Sequence, residues 1–166
     1  MTTLVVGLIS DTHGLLRAEA LAALQGCQII IHAGDVGDRG ILDQLRNIAP
    51  VYAVRGNIDT QPWCRSLQKT QQIELAGTNI YVVHNGEDID LDPNAAGIQI
   101  IVSGHTHKPE YRWRDGVLYI NPGSAGPSRF SLPICLARLD ILATPWQPKF
   151  VQLDAQHKAP HSAANL

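Results

Sequence analysis

Two histidines stand one residue apart in Ser103-Gly104-His105-Thr106-His107-Lys108-Pro109, directly behind the apolar run Ile98–Val102. Residues i and i+2 of an extended chain point the same way, so both imidazoles would face one spot. Imidazole is the commonest protein ligand for borderline divalent metals. A pair of surface-loop histidines is the plain alternative, and only the rest of the chain separates the two. Ser10-Asp11-Thr12-His13-Gly14 follows the apolar run Leu4–Ile9, and Gly34-Asp35 follows Gln28–His32. Gly56-Asn57 follows Val51–Val54, and His84 follows Asn79–Val83. Each has an ordinary reading of its own: Asp11 as a helix cap, Asn57 as a turn residue. Seven polar side chains closing successive apolar runs argue against separate accidents. The set Asp11, His13, Asp35, Asn57, His84, His105 and His107 mixes carboxylate, amide oxygen and imidazole, which suits Mn, Fe, Ni or Zn. It is too large for one tetrahedral zinc and holds no thiolate. It fits two ions about 3.5–4 Å apart with one carboxylate between them.

The segments that must position these residues follow from pattern. Leu4–Ile9 is apolar on both faces, as a central strand should be. Leu15–Leu24 reads as a helix closed by Gly26. Gln28–His32 is a second buried strand, and His32, on the strand itself, reads as a core histidine with local hydrogen-bond partners. Asp38 would cap a second helix over Ile41–Ile48, and Val51–Val54 is the third strand. Strand, helix, strand, helix, strand implies parallel pairing, and such sheets bind ligands beyond the carboxyl ends of their strands.

The character changes past Gln61. Pro62-Trp63-Cys64 reads as a loop near that rim. Gln71–Leu75 with Asn79–Val83, and Tyr111–Trp113 with Val117–Ile120, read as hairpins about Ala76-Gly77-Thr78 and Asp115-Gly116. Glu87, Asp88, Asp90 and Asp92 lack EF-hand spacing and read as a solvated helix start before Pro93. Asn121-Pro122-Gly123-Ser124-Ala125-Gly126-Pro127 is a rigid loop with neither a Walker arrangement nor a nucleophile elbow. Ile134–Leu142 and Phe150–Leu153 read as antiparallel, half-exposed strands.

The 166 residues suit one domain over 1–154 and a flexible tail, 155–166, that holds His157 and His161. A net charge of -2 and the lack of a basic tract leave no footprint for a nucleic-acid polymer. A small phosphorylated substrate stays compatible, because metal ions supply positive charge locally. Cys27, Cys64 and Cys135 are odd in number and in no paired motif, as free thiols of a reducing compartment would be. No signal-peptide pattern and no run of transmembrane length occurs, so a cytoplasmic protein without a membrane partner is expected.

The succession Asp-x-His, Gly-Asp, Gly-Asn, lone His, Gly-His-x-His resembles the calcineurin-like metallophosphoesterase superfamily. Ile9-Ser10-Asp11-Thr12-His13-Gly14, Ile31-His32-Ala33-Gly34-Asp35, Arg55-Gly56-Asn57, Gly104-His105-Thr106-His107-Lys108-Pro109 and Asn121-Pro122-Gly123-Ser124 are similar to its small single-domain YfcE-like phosphodiesterase branch. The resemblance implies an α/β (α+β by some schemes) αββα sandwich of two mixed sheets flanked by helices. It implies one metal held by Asp11, His13, Asp35 and His107, and another held by Asp35, Asn57, His84 and His105, with Asp35 bridging. Manganese is the expected ion, with Ni, Fe or Zn as alternatives. The implied activity is phosphodiester hydrolysis on a small substrate by a hydroxide bridging the two ions, with Asp35, Asn57 and His105 acting in catalysis. Relatives are often dimers or tetramers. The rival from another class is a protein-binding scaffold like the retromer subunit of the same fold, a lineage that has lost part of the histidine set.

Two positions depart from the pattern. Many larger relatives carry a leaving-group histidine after the Gly-Asn asparagine; here that residue is Ile58, which favours a diesterase with a good leaving group. His84 is followed by Asn85, where relatives often have glycine. Asp59 would either orient a ligand or serve the turn.

Overall fold

The computed structural model describes residues 2–154. In chain order the elements are β1 (Val5–Ile9), α1 (Ala18–Ala23), β2 (Ile29–His32), α2 (Arg39–Arg46), β3 (Val51–Ala53), a 3-10 helix at Pro62–Ser66, β4 (Thr70–Leu75) and β5 (Thr78–Val83). A 3-10 turn at Gly86–Asp88, β6 (Ile100–Val102), β7 (Glu110–Arg114), β8 (Val117–Asn121), β9 (Cys135–Asp140) and β10 (Lys149–Gln152) complete them. The expected parallel trio forms: β1 lies beside β2 and β2 beside β3, with Val6 opposite Ile29 and Ile30 opposite Val51. The first sheet has the order β10-β9-β1-β2-β3, the second β4-β5-β6-β8-β7. In the second sheet β5, β6 and β8 are parallel, while β4 and β7 form antiparallel edges through the two expected hairpins.

Period-2 alternation sorts each strand's residues into layers. Val6 and Leu8 of β1, Ile80 and Val82 of β5, Ile100 and Val102 of β6, and Leu118 and Ile120 of β8 meet between the sheets. The opposite face of the first sheet, with Ile9 and Ile30, is covered by Ala20 and Leu24 at α1 and by Ile41, Leu42 and Leu45 of α2. Full burial of side chains such as Leu24 and Leu45 stabilises this layer by about 1.5–3 kcal/mol each. Tyr81, Val83, Ile101 and Val117 on the outer face of the second sheet lie under Ile89, Leu91 and Ile98, in a stretch whose one helical piece is the 3-10 turn. The result is two mixed sheets face to face with the α-helices on one side. Among the described residues no helix is long and apolar enough to cross a membrane.

Several local expectations change. α1 starts at Ala18 rather than Leu15, because the His13 and Gly14 amides donate to the Asp35 and Val36 carbonyls at 2.9 Å and hold that stretch on the neighbouring loop. Leu15 is accordingly 39% exposed and off the helix's buried face. Pro62-Trp63-Cys64 is not a loop but the start of a 3-10 helix with Cys64 buried. β9 is not half exposed: it is a central strand between β10 and β1, with Leu136 under the helices and Ala137 and Leu139 between the sheets. Two readings hold: the Asp38 carboxylate caps α2 by accepting from the Gly40 amide at 2.8 Å, and His32 is fully buried with Thr12 Oγ1 3.0 Å from Nε2 and the Gly34 amide donating to Nδ1 at 3.1 Å. The expected tail, 155–166 with its two histidines, lies outside the described residues.

Candidate metal centre

The loops after β1, β2 and the strand β6 converge on one rim, and their backbone is unusual there. Asp11 (φ 55°), His13 (46°), Asp35 (54°), His105 (73°) and His107 (62°) all occupy the left-handed region. Asp and His visit it more readily than most residues, yet such conformations cost about 1–3 kcal/mol each and persist only where surroundings over-determine them. Among the described residues the other non-glycine cases are Ala76 and Asp115, in hairpin turns, and Phe130. The bracing is visible. The Asp11 amide donates to the Gly34 carbonyl at 3.0 Å, joining the first loop to the second. The His105 amide donates to Asp11 Oδ2 at 3.1 Å, joining the first to the loop after β6.

The side chains then face one another. His107 Nε2 lies 3.2 Å from Asp11 Oδ1. His13 Nε2 lies 3.4 Å from Asp35 Oδ2 and 3.7 Å from Asp11 Oδ1. His84 Nε2 lies 3.2 Å from Asp35 Oδ2 and 3.8 Å from Asp11 Oδ1. Asp11, His13 and His107 thus form one group able to hold a metal ion, and Asp11, Asp35 and His84 form a second. His105 is exposed and packs its ring edge-on to His84, with centroids 5.3 Å apart. Asn57 is exposed and lines a hollow that His84 also lines. Five of the seven expected ligands are therefore drawn into tight donor groups, and two stand at their open edge.

Several further residues hold this arrangement, among them Ser10, Asn121 and Ser124, to which the sequence alone assigns no role. The Ser10 hydroxyl donates to Asp11 Oδ2 at 2.6 Å. Asn121 donates through Nδ2 to the Gly104 carbonyl at 2.9 Å and to Thr106 Oγ1 at 3.0 Å, fixing the two-histidine loop. Ser124 donates to the Asp11 carbonyl at 3.0 Å. Asp59, 3% exposed, accepts from the Gly56 amide at 2.8 Å and the Val36 amide at 3.2 Å through Oδ2, and from the Gly37 amide at 3.0 Å through Oδ1. Its bond to Gly56 serves the turn, one of its two expected uses, and its bonds to Val36 and Gly37 tie that turn to the loop carrying Asp35. The Ile58 amide adds a bond to Asp35 Oδ1 at 3.0 Å. Glycine is needed where these loops touch. A Cβ on Gly56 would collide with the Asp35 amide and Oδ1, and one on Gly104 with the Ser10 hydroxyl and Asp11 Oδ2.

The charges explain what the centre lacks. Burial opposes the ionised form of Asp11, but the His107 and His13 imidazoles and the Ser10 hydroxyl beside it hold its carboxyl well below the usual carboxylate range. Burial likewise opposes ionised Asp35, and His84 with the Ile58 amide outweighs it and lowers its pKa. Burial would depress His84, but the Asp35 carboxylate against it lifts its pKa instead. Two buried carboxylates are thus kept anionic together and ask for positive charge. His84 Nδ1 is 2.7 Å from the Ala33 carbonyl, so it carries a proton, and Nε2 is the nitrogen that faces the carboxylates. Among the described residues the buried side-chain atoms without a hydrogen-bond partner are Asp11 Oδ1, His13 Nε2, His84 Nε2 and His107 Nδ1. Each such group left unmet costs about 1–3 kcal/mol. All belong to expected ligands, and a divalent cation meets carboxylate and imidazole donors at once. The residues therefore fit a metal.

Known proteins resemble this chain over most of its length. The chain is 35% identical over 135 residues to the probable metallophosphoesterase MJ0623 of Methanocaldococcus jannaschii, covering 74% of this chain and 68% of that one. It is 27% identical over 161 residues to phosphodiesterase YfcE of Escherichia coli K12, covering 79% and 84%. The solved structure of Vps29 from Chaetomium thermophilum shares the fold with a TM-score of 0.79 at 19% identity, covering 95% of this chain and 94% of that one. The family model described as the calcineurin-like phosphoesterase superfamily domain matches residues 4–144, a span that takes in every loop of the rim, and the chain belongs to that superfamily.

Proposed function

We propose that the protein is a phosphoric diester hydrolase that works with two divalent metal ions on a small phosphodiester. The observation that carries the reading is the set of buried carboxylates and imidazoles facing one another on the rim, where Asp11 Oδ1, His13 Nε2 and His84 Nε2 have no hydrogen-bond partner. Asp11, His13, Asp35 and His107 would hold one ion, and Asp35, Asn57, His84 and His105 the other. The grouping of Asp11 with His13 and His107 supports the first site and that of Asp35 with His84 the second, with Asp11 common to both groups. Such a pair of ions, manganese first among those the donors suit, would supply a nucleophile near neutral pH and would neutralise phosphoryl oxygens. Asp35 would be shared between the two ions: its Oδ1 is fixed by the Ile58 amide and its Oδ2 faces both His13 and His84. Asn57 and His105, at the open edge, are the ligand positions an incoming phosphoryl group meets first. Ile58 is 43% exposed and offers no proton, so the leaving oxygen takes its proton from solvent, which favours diesters with good leaving groups. The diesterase relatives support the same substrate class. Three buried free thiols, Cys27, Cys64 and Cys135, support a cytoplasmic setting.

The test is hydrolysis of bis(p-nitrophenyl) phosphate by the purified chain. EDTA should silence it, Mn or Ni should restore it, and Asp35→Asn or His107→Ala should abolish it. Turnover that ignores chelation, or survives in both variants, rejects the proposal. The likeness to Vps29 favours one second reading, a non-catalytic protein-binding scaffold. Against it stands the complete donor set, and metal analysis finding about two equivalents per chain together with turnover decides for the enzyme.

A further inference from the structure

Two hollows flank the metal centre and meet at Asn85. One, of about 500 Å³, is lined by Asn85, Glu87, His105, Glu110, Arg112 and Tyr119. The other, of about 450 Å³, is lined by Arg55, Asn57, Lys69, His84 and Asn85. Both volumes fall in the range of small-molecule sites, about 300–1,000 Å³. Asn85 is fixed as the divider, its Oδ1 accepting from the Glu87 amide at 3.0 Å. A phosphodiester has two ester arms, and a phosphorus placed at the rim would send one arm to each side.

The chemistry of the first hollow is specific. Cross-strand pairing puts Arg112 of β7 opposite Tyr119 of β8, and Glu110 opposite Asn121, on the outer face of the second sheet. The Arg112 guanidinium carbon lies 5.3 Å from the Tyr119 ring centroid. Its neighbours are committed elsewhere: Lys108 pairs with Glu110 at 3.7 Å and Arg114 with Asp115 at 3.9 Å. Arg112 itself forms no ion pair among the described residues and is exposed, so tyrosine supports a flat guanidinium that still faces the hollow. Such planes stack on flat π-systems. Glu87 and Glu110 are acceptors only, and Glu110 keeps acceptor capacity beside Lys108, which suits hydroxyl donors. The charged side chains Glu87, Glu110 and Arg112 in the lining disfavour an acyl chain, and the guanidinium over the ring excludes a quaternary ammonium from it.

Resting on the phosphodiesterase reading, we propose that the ester arm entering this hollow is a nucleoside, its base stacked on the Arg112–Tyr119 platform and its ribose hydroxyls donating to Glu87 and Glu110, with the phosphoryl group at the His105 edge. The test compares adenosine 5′-(p-nitrophenyl phosphate) with methyl p-nitrophenyl phosphate, which share a leaving group, on the full chain with Mn. The adenosine diester should have a kcat/KM about 10-fold or more higher, mainly through KM, as stacking of one base supplies. Arg112→Met should bring the two values together. A second readout needs neither metal nor turnover: AMP titrated into the metal-free chain should shift the Arg112 side-chain Nε–H resonance, while ribose 5-phosphate should not. Equal kcat/KM for the two diesters, or equal shifts by AMP and ribose 5-phosphate, overturns the nucleoside assignment and leaves the diesterase reading intact. No hydrolysis of either diester, with the AMP-specific shift retained, rejects the diesterase reading and leaves the nucleoside site standing.

Discussion

Replacing Asp59 by asparagine tests how the rim is held. The buried carboxylate accepts three backbone amides, two at Oδ2 and one at Oδ1. In Asp59→Asn the amide oxygen can take the place of Oδ2 and keep the Val36 and Gly56 bonds. Nδ2 then faces the Gly37 amide, donor against donor. Leaving that amide unmet costs about 1–3 kcal/mol, and the two surviving bonds lose their charge assistance, about 1 kcal/mol more. The expected loss is about 2–4 kcal/mol in urea unfolding of the metal-free chain at pH 7, with an unchanged m-value. The strain falls on the loop of Asp35 and the turn of Asn57, so Mn affinity measured by calorimetry should drop about 10-fold or more, as when outer hydrogen-bond partners of metal ligands are lost. Asp59→Glu, which keeps the charge but overreaches, should recover part of the metal affinity. A variant Asp59→Asn within about 0.5 kcal/mol of the parent and equal to it in Mn affinity would refute the idea that this carboxylate positions the centre.

Three further outcomes follow from single residues. Burial depresses the His32 pKa to about 4, so between roughly pH 6.5 and that value the unfolded chain binds a proton that the folded chain refuses; stability should fall as pH drops, by up to about 3 kcal/mol, and the difference in urea midpoints between pH 7 and pH 5 should shrink in His32→Gln. Gly104→Ala drives a methyl group into the Ser10 hydroxyl and Asp11 Oδ2, and should weaken metal binding about 10-fold or more while the circular-dichroism spectrum stays that of the parent; unchanged affinity would mean the loops tolerate separation. Ile58→His places an acid beside Asn57 and should raise kcat at least about 10-fold for diesters with alkyl leaving groups but little for p-nitrophenyl ones; a uniform change across leaving groups would contradict the protonation argument.

Much of this centre is legible in the sequence because its ligands follow strands that are apolar on both faces. Val5–Ile9 and Ile29–His32 can be placed as neighbouring parallel strands without coordinates, and Asp11 and Asp35 then fall on one rim. What joins the loops is not legible, because it runs between segments that share no pattern. Asp59 reaches back to Val36 and Gly37 across more than twenty residues, and Ser124 reaches Asp11 across 113. The same long-range bonds moved the start of α1: a helix over Leu15–Leu24 satisfies local periodicity, but the His13 and Gly14 amides bond to the second loop and hold the chain there, and the helix begins only at Ala18. β9 misled for a related reason. Its Leu-Ala-Arg-Leu alternation looks amphipathic, yet Arg138 lies along the helix layer and donates to carbonyls at the end of α1, so a cation marks a buried strand rather than an exposed face.

The left-handed backbone at five of the ligand positions completes the argument. Asp and His tolerate that conformation, but nothing in a one-dimensional pattern requires it at Asp11, His13, Asp35, His105 and His107 together. The cost, about 1–3 kcal/mol per residue, is met by bonds that each loop makes to another: the His13 amide to Asp35, the His105 amide to Asp11, the Asn121 amide group to Gly104. The loops are therefore strained singly and stable only as a group. Loss of one brace should then appear in metal affinity before it appears in the fold, since the two sheets beneath keep their own cores while the donors drift apart.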